Sequence, residues 1–438
     1  MANVWEALQN RLGFIFERFP TIVVSFSGGK DSGLLLNAVL WFKREHSLSN
    51  RVIVFHQDFE AQYSKTTDFV NRMMLDCEKD CVPMWVCLPV ASRCAVSNHQ
   101  MYWYPWDREQ ANAWVRPMPC HDCVIREDNH QFDFYRHGMP QEEFYKQLGP
   151  WVSRVYGKSI TLVGIRTQES LNRFRAIYSR WKHSLNGRKW TTVVDDDQCI
   201  GHPLYDWTTE DIWTANGRMS FQYNGLYDLF YKAGISLHQM RVSSPYHEAA
   251  VHSLNLYRVL EPATWVRVVG RVHGANFAAI YGGTKAVGYR AVSLPPGHSW
   301  KSYTKFLLRT LPEDTRSNYI AKFRKSIRFW HRTGGALSDG FIDEIKNAGY
   351  RISIGEISNR TRDSKRLVRI RGPIPDNADD LSLPTEFPSW KRMCYCILKN
   401  DHVCKFMGFQ QNKAQYDLRS IAIDRLHQSS VSGQVGSS

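Results

Sequence analysis

Thr21-Ile22-Val23-Val24-Ser25-Phe26-Ser27-Gly28-Gly29-Lys30-Asp31-Ser32 decides the architecture of this chain. The β-branched run from Thr21 to Phe26 reads as a buried parallel strand, and Gly33-Leu34-Leu35-Leu36-Asn37-Ala38-Val39-Leu40-Trp41-Phe42 as a largely buried helix. A turn of small residues joins them, and its position gives it a chemistry. Two glycines let the backbone approach an anion closely, and N–H groups at the start of a helix face that anion. Ser27 and Ser32 add hydroxyl donors, Lys30 a point charge, and Asp31 a ligand or orienting group for Mg²⁺. The expected phosphate-binding residues are therefore Ser25, Phe26, Ser27, Gly28, Gly29, Lys30, Asp31 and Ser32, with Lys30 and Asp31 in catalytic roles. A Walker loop needs four residues between its first Gly and its Gly-Lys pair, so this is not the loop of a kinase or GTPase.

The alternation of strand and helix continues outward. Arg51-Val52-Ile53-Val54-Phe55-His56 is a second strand, ending in Gln57-Asp58. A helix over about 64–80 precedes a strand at 84–90, and an irregular insertion rich in Trp, Tyr, His and Pro fills about 91–145. The strand pattern returns at Ser159-Ile160-Thr161-Leu162-Val163-Gly164. Repeated βα units predict an α/β fold, a parallel sheet with helices on both faces. After about residue 250 the character changes. Residues 254–272 look helical around Pro262, a basic helix-rich stretch runs over 301–330, and Gly334-Gly335 breaks it. A polar segment, 373–388, precedes a last amphipathic helix at 390–399. The expected organisation is a nucleotide-binding domain over 1–250, a mostly helical basic domain over 251–427, and a disordered Ser- and Gly-rich tail over 428–438.

Composition sets the limits around this reading. The chain has 438 residues, 43% of them hydrophobic, which is enough for two packed domains and excludes wholesale disorder. No run approaches the roughly 20 uncharged apolar residues that span a bilayer. The first residues lack the basic start, apolar run and cleavage site of a signal peptide. A soluble, cytoplasmic protein with no membrane partner is expected. Ten cysteines, unevenly spaced, do not suggest a disulfide scaffold. Lys and Arg number 56 against 42 Asp and Glu, a net +14, and residues 301–371 hold 17 basic and 7 acidic residues. One basic region on a near-neutral body points to a polyanionic partner, nucleic acid (DNA or RNA) before membrane. A solubilising basic face is the plainer alternative.

The turn and four further segments resemble the PP-loop ATP pyrophosphatase superfamily, and within it the phosphoadenosine phosphosulfate (PAPS) reductase-like branch. Phe55-His56-Gln57-Asp58-Phe59-Glu60 with Thr66-Thr67 is similar to the family's second-strand motif. Gly164-Ile165-Arg166-Thr167-Gln168-Glu169-Ser170-Leu171-Asn172-Arg173 is similar to its Gly-x-Arg-x-x-Glu-Ser-x-x-Arg segment. His202-Pro203-Leu204-Tyr205-Asp206-Trp207 with Asp211-Ile212-Trp213, and Tyr223-Asn224-Gly225-Leu226-Tyr227, resemble downstream family segments. The resemblance implies a Rossmann-like sheet of the adenine nucleotide alpha hydrolase type and a bound ATP or PAPS-like nucleotide. It adds Asp58, Gly164, Arg166, Glu169, Ser170 and Arg173 to the binding residues. Guanidinium forks suit phosphate and sulfate oxygens, so Arg166 and Arg173 are expected at the ligand in catalytic roles, with Glu169 orienting one of them; a surface salt-bridge cluster is the plainer alternative. Asp58 is expected to contact nucleotide or metal, or else to cap its loop.

The sequence departs from the family's redox apparatus. Electron-transferring PAPS reductases carry a C-terminal Glu-Cys-Gly-x-His segment, and this chain has none; its last cysteine is Cys404. The second cysteine pair of the iron–sulfur relatives is missing from Ile235 to Ser244. Cys120-His121-Asp122-Cys123 is the one Cys-x-x-Cys, open to a zinc or iron–sulfur site, a redox pair, or ordinary loop thiols. A narrower likeness runs to the immunoglobulin-binding regulator A type proteins of phage and mobile-element settings, which join a PAPS reductase-like domain to a C-terminal domain of unassigned function and accompany a ParB-like partner. The expected activity is cleavage of the nucleotide at its α-phosphate to activate an acceptor. The alternatives are a nucleotide-dependent regulator of a ParB-like DNA-binding partner and, third, authentic PAPS reduction or sulfur transfer.

Overall fold

A computed structural model describes residues 3–178, 182–248, 250–281, 292, 294–358 and 364–409. The expected tail at 428–438 lies outside them. Helix α1 (Val4–Arg18), started by an Asn3–Glu6 capping box, leads into β1 (Thr21–Ser25), and α2 (Lys30–Glu45) follows the turn. Next come β2 (Arg51–Gln57), α3 (Ser64–Asp76) and β3 (Val82–Val86). The insertion contributes β4 (Ser92–Arg93), β5 (Tyr102–Trp103) and β6 (Val124–Ile125) before α4 (Gln141–Tyr156) and β7 (Ser159–Val163). After α5 (Leu171–Tyr178) the chain forms β8 (Thr191–Val193) and β9 (Gln198–Gly201), a hairpin that periodicity did not announce because both strands are short.

The seven-stranded sheet runs β6-β3-β2-β1-β7-β9-β8 and is parallel except for β8. Strand alternation divides its two faces. Ile22, Val24, Val52 and Val54 pack with α1, α2 and α3, while Val23, Ile53 and Phe55 pack with Phe144, Leu148 and Trp151 of α4. The chain winds from β1 outward through β2 and β3, then returns to place β7 on the other side of β1. That reversal opens a crevice at the carboxyl ends of β1 and β7, where ligands of doubly wound sheets bind.

Helices α6 (Thr209–Arg218), α7 (Leu226–Lys232), α8 (Asn255–Leu260), α9 (Pro262–Arg271) and α10 (Ala275–Tyr281) come next. The expected helical stretch over 254–272 is interrupted at Pro262, where a new helix starts because proline suits a first helical position. Residues from Leu226 to Ala278 share a core with Ala61, Tyr63, Val96, Trp103 and Val115. Packing therefore joins 251–281 to the first domain, and the composition change near 250 does not mark a division of the core. The remaining chain has its own core. It contains α11 (Trp300–Thr310), α12 (Glu313–Arg332), β10 (Gly335–Leu337), α13 (Asp339–Asn347), β11 (Ile352–Ile357), β12 (Arg366–Ile370) and α14 (Trp390–Leu398). This unit is mainly helical, and a three-stranded antiparallel sheet, β10-β12-β11, was not foreseen in it. It docks on the insertion: Thr315 Oγ1 donates to the Asn98 carbonyl at 3.0 Å and Asn400 Nδ2 to the Ala95 carbonyl at 3.2 Å. No helix among the described residues is long and apolar enough to cross a membrane.

Candidate functional site: a cationic crevice at the strand switch

The turn after β1 is built so that its backbone can face a ligand. Gly28 takes φ +75°, and a Cβ there would stand 2.9 Å from Val70 Cγ2, so glycine is required on both counts. Gly29 caps α2 without a side chain, which puts Lys30, Asp31 and Ser32 in the first helical turn with its free N–H groups. Ser27 and Ser32 brace the turn internally, their hydroxyls 2.9 Å apart, and Ser32 Oγ donates to the Gly29 carbonyl at 3.1 Å. Three residues of the recognised segments hold it from behind. Asn224 Nδ2 donates to the Gly28 carbonyl and to Thr66 Oγ1, both at 2.9 Å, and the Tyr227 hydroxyl accepts the Lys30 backbone N–H at 3.0 Å.

The turn after β7 closes the other side. Gly164 lies against the loop itself: a Cβ would meet the Asp31 carbonyl carbon at 3.0 Å and the Ser32 nitrogen at 3.1 Å. Arg166, only 2% exposed, donates from Nε to Asp31 Oδ1 at 2.6 Å and from Nη1 to Gln168 Oε1 at 3.2 Å. Asp31 Oδ2 accepts from Lys30 Nζ at 2.9 Å. Glu169 pairs with Arg173, and Arg241 Nη2 donates to the Glu169 carbonyl at 3.3 Å.

Together these groups line a cavity of about 390 Å³. Lys30, Arg166, Arg173 and Arg241 face two carboxylates, Asp31 and Glu169, leaving two positive charges in excess. Burial, with a smaller contribution from the neighbouring cations, sets the acid–base behaviour of this cluster. Burial holds the Lys30 ammonium below its ordinary pKa, and Arg166 and Arg241 push it further down against the pull of Asp31. Burial lowers Arg173 likewise, with Arg241 and Arg166 adding to it. Cations crowded this way without matching carboxylates are organised to receive a polyanion.

Of the residues expected from sequence, Ser25, Ser27, Gly29, Lys30, Asp31, Ser32, Gly164, Arg166, Glu169 and Arg173 line the crevice. Phe26, Gly28, Asp58 and Ser170 do not. Phe26 belongs to the core, Gly28 backs onto α3, and Ser170 Oγ accepts the Arg173 backbone N–H at 3.2 Å, capping α5. Asp58 is fully buried and satisfied by Trp85 Nε1 at 2.7 Å, Arg116 Nη2 at 2.6 Å and the Glu60 N–H at 2.8 Å. It is the loop-capping residue of the two alternatives. Sequence reasoning missed Arg241, Gln168, Thr209 and the bracing role of Tyr227. Gln168 and Tyr227 lie within the segments that carry the family resemblance, whereas Arg241 lies in a stretch, Ile235 to Ser244, with no motif to mark it.

The crevice does not fit a metal held by protein alone. Each Asp31 oxygen already accepts from a cation and Glu169 is paired to Arg173, so the donor set presents charges for phosphate and no open oxygen cage for Mg²⁺. Among the described residues no three His, Cys, Asp or Glu side chains gather as a metal site. Cys120 is exposed and Cys123 half-buried, and the structure does not bring Cys87, Cys94, His99, His130 or His137 to them as further ligands. No cysteine lines the crevice.

A parallel sheet with an anion-binding turn after its central strand and arginines after the neighbouring one defines a nucleotide-binding α/β protein of the PP-loop type. The comparison with known families agrees: residues 21–233 match the phosphoadenosine phosphosulfate reductase domain, and residues 234–418 the domain of unknown function DUF3440. The chain belongs to the family that joins these two domains. It is 30% identical over 419 residues to the Escherichia coli (strain K12) "Uncharacterized protein YbdN", covering 94% of this chain and 92% of that one. Among solved structures it is similar to the Candida auris PAPS reductase in a phosphate complex (14% identity, TM-score 0.24, 51% of this chain and 84% of that one). It is also similar to the NH3-dependent NAD synthetase of Campylobacter jejuni subsp. jejuni NCTC 11168 (13% identity, TM-score 0.27, 66% and 99%).

Proposed function

We propose that the protein binds ATP or a related adenine nucleotide, PAPS among them, in the crevice and cleaves it at the α-phosphate to activate an acceptor. The observation that carries this reading is the surplus of cations on a preformed anion-binding turn, with buried Lys30 and Arg166 and the more exposed Arg173 and Arg241 lining one cavity. The turn's free N–H groups and Lys30 would hold the departing phosphates, while Arg166, fixed by Asp31, would stabilise charge that develops at the reacting phosphorus. Such catalysis is charge stabilisation and positioning, and it needs no protein nucleophile. Calorimetry of ATP, pyrophosphate and adenosine against the full chain tests the binding half. ATP and pyrophosphate should bind and adenosine should bind far more weakly; equal affinity for adenosine would sink the phosphate assignment. Accumulation of AMP and pyrophosphate with ATP, Mg²⁺ and candidate acceptors separates turnover from a regulator that only binds.

Two observations shape the remaining readings. Arg324, Lys325 and Arg328 lie exposed on α12, so nucleic acid is the partner we assign to residues 301–371, either as acceptor or as the site of a ParB-like partner. Authentic PAPS reduction is the weakest reading, because it needs an accessible thiolate. Cys394, Cys396 and Cys404 are fully buried in the C-terminal unit, and burial pushes Cys394 up to about 12 and Cys396 well above the ordinary thiol range. Sulfite release from PAPS, lost on mutating one of these three to serine, would restore the reductase.

A further inference from the structure

Helix α5, which follows the turn after β7, carries a surface outside the crevice. Residues 171–190 hold six Arg and Lys and no Asp or Glu, while the other 280 residues before Lys301 hold 26 basic and 28 acidic ones. The positive charge of the first 300 residues is therefore concentrated in α5 and the chain that leads to β8. Apolar side chains are interleaved with it. Leu171, Phe174 and Tyr178 recur at helical spacing, the pattern of a stripe that packs against a core. They face solvent instead: Leu171 is 62% exposed, Phe174 46% and Tyr178 43%, while Ile177 takes the buried side of the helix. The two rings lie against each other, their centroids 4.7 Å apart and their planes tilted by 31°. Lys182 Nζ donates to the Lys189 carbonyl, and Lys189 Nζ stands 5.7 Å from the centre of the Tyr178 ring. Arg175 is exposed between the two aromatic residues.

We infer that this face of α5 is a platform for a single strand of nucleic acid, with bases stacked on Phe174 and Tyr178 and phosphates held by Arg175 and Lys189. Open aromatic rings set among cations suit a single strand, because every base has a π face and every linkage a negative charge. A duplex keeps its base faces covered, so it could use only the cations. Three exposed apolar side chains on an eight-residue helix bury too little surface to hold a membrane, which the same charges would otherwise attract. The position gives the platform a direction. Arg173 stands on the same helix and lines the crevice together with Arg241, so the row of cations along α5 leads into the anion-binding cavity. This contact is separate from the one assigned to α12, and it would carry a strand to the bound nucleotide itself. That last consequence rests on the nucleotide reading above; the platform rests on its own side chains.

Fluorescence anisotropy of the full chain with a labelled oligothymidine about fifteen nucleotides long tests it. The strand should bind at low salt, and Phe174→Ala/Tyr178→Ala should weaken it about tenfold or more while leaving a duplex of the same length unaffected. Phe174→Leu/Tyr178→Leu keeps the apolar surface and loses the rings, and should weaken the strand as much. Arg175→Glu/Lys189→Glu should weaken the strand and flatten its salt dependence. None of these four residues lines the crevice, so ATP affinity should stay at the wild-type value in every variant. Reversing Arg324, Lys325 and Arg328 as well should lower the overall affinity and keep the tenfold effect of the aromatic pair; loss of that effect would place the strand on α12 alone and overturn the platform. No binding of the strand, unaltered binding by the Ala or Leu pair, or equal weakening of the duplex would overturn it too. So would binding to phosphatidylglycerol vesicles that the Ala pair loses and the Leu pair keeps, which would give the face to a membrane. Failure of the nucleotide reading looks different: Lys30→Ala/Asp31→Ala would then bind ATP as the wild type does, with strand binding still dependent on Phe174 and Tyr178.

Discussion

Two sets of charges lie within the same domain, one buried and one lining a cavity, and they behave in opposite ways. In one, Glu60 is fully buried and receives Arg271 Nε at 2.9 Å together with the backbone N–H groups of Trp106 and Val115, each at 2.9 Å. Asp58 is met by Arg116 and Trp85 in the same fashion. In the other, around the β1 and β7 turns, four cations answer to two carboxylates. Matched charges with every lone pair used are architecture. A surplus in a cavity is what supports the proposed binding site. The comparison separates residues that sequence motifs cannot separate, since Asp31, in the first turn of α2, and Asp58, just after β2, both follow a strand and only Asp31 faces the crevice.

The largest effect should come from breaking the matched set. Arg271→Ala leaves Glu60 charged and buried without its partner, and urea unfolding should show a loss of about 3–5 kcal/mol. A loss under 1 kcal/mol would mean that Glu60 is not the lock between the insertion and α9. Arg116→Gln should act similarly, with an acid signature. Burial alone would raise the Asp58 pKa, but Arg116, His56 and Trp85 together hold it below the ordinary carboxylate value. Its stabilising contribution is therefore present above about pH 3.9 and is lost as pH falls through the lower folded-state value. Removing Arg116 leaves the burial penalty uncompensated, so acid unfolding monitored by circular dichroism should begin at higher pH than in the wild type.

Breaking the surplus set should cost binding, and because Arg166 loses its Asp31 partner the variant's folding is checked by circular dichroism before its affinity is read. Lys30→Ala/Asp31→Ala should lower ATP affinity on the order of a hundredfold, given the strength of charge-assisted contacts to phosphate. Wild-type-like affinity in calorimetry would refute the site. The smallest effect is expected on the C-terminal unit, whose charges are exposed on α12. Reversing Arg324, Lys325 and Arg328 should weaken DNA or RNA binding and flatten its salt dependence by about one logarithmic unit of slope per lost phosphate contact, without altering ATP affinity. Absence of any nucleic-acid binding at low salt would reduce that face to a solubilising one.

The sequence determined the parallel sheet and its anion-binding turn, because both are local. A β-branched run, two glycines and an apolar helix leave few alternatives over Thr21–Phe42. It also brought forward Lys30, Asp31, Arg166 and Arg173, whose chemistry is inscribed in residue type and spacing. It could not tell Asp58 from Asp31: Arg116, far along the chain in an irregular insertion, closes over Asp58 away from the crevice, while Asp31 stays on the crevice wall with Lys30 and Arg166. The pairing of Glu60 with Arg271, the attachment of residues 251–281 to the first domain and the three-stranded sheet in the second unit all belong to tertiary structure. Each is a contact between segments distant in sequence. Periodicity and propensity describe only what a residue does with its near neighbours, so which charges end up paired was decided when those distant segments packed together.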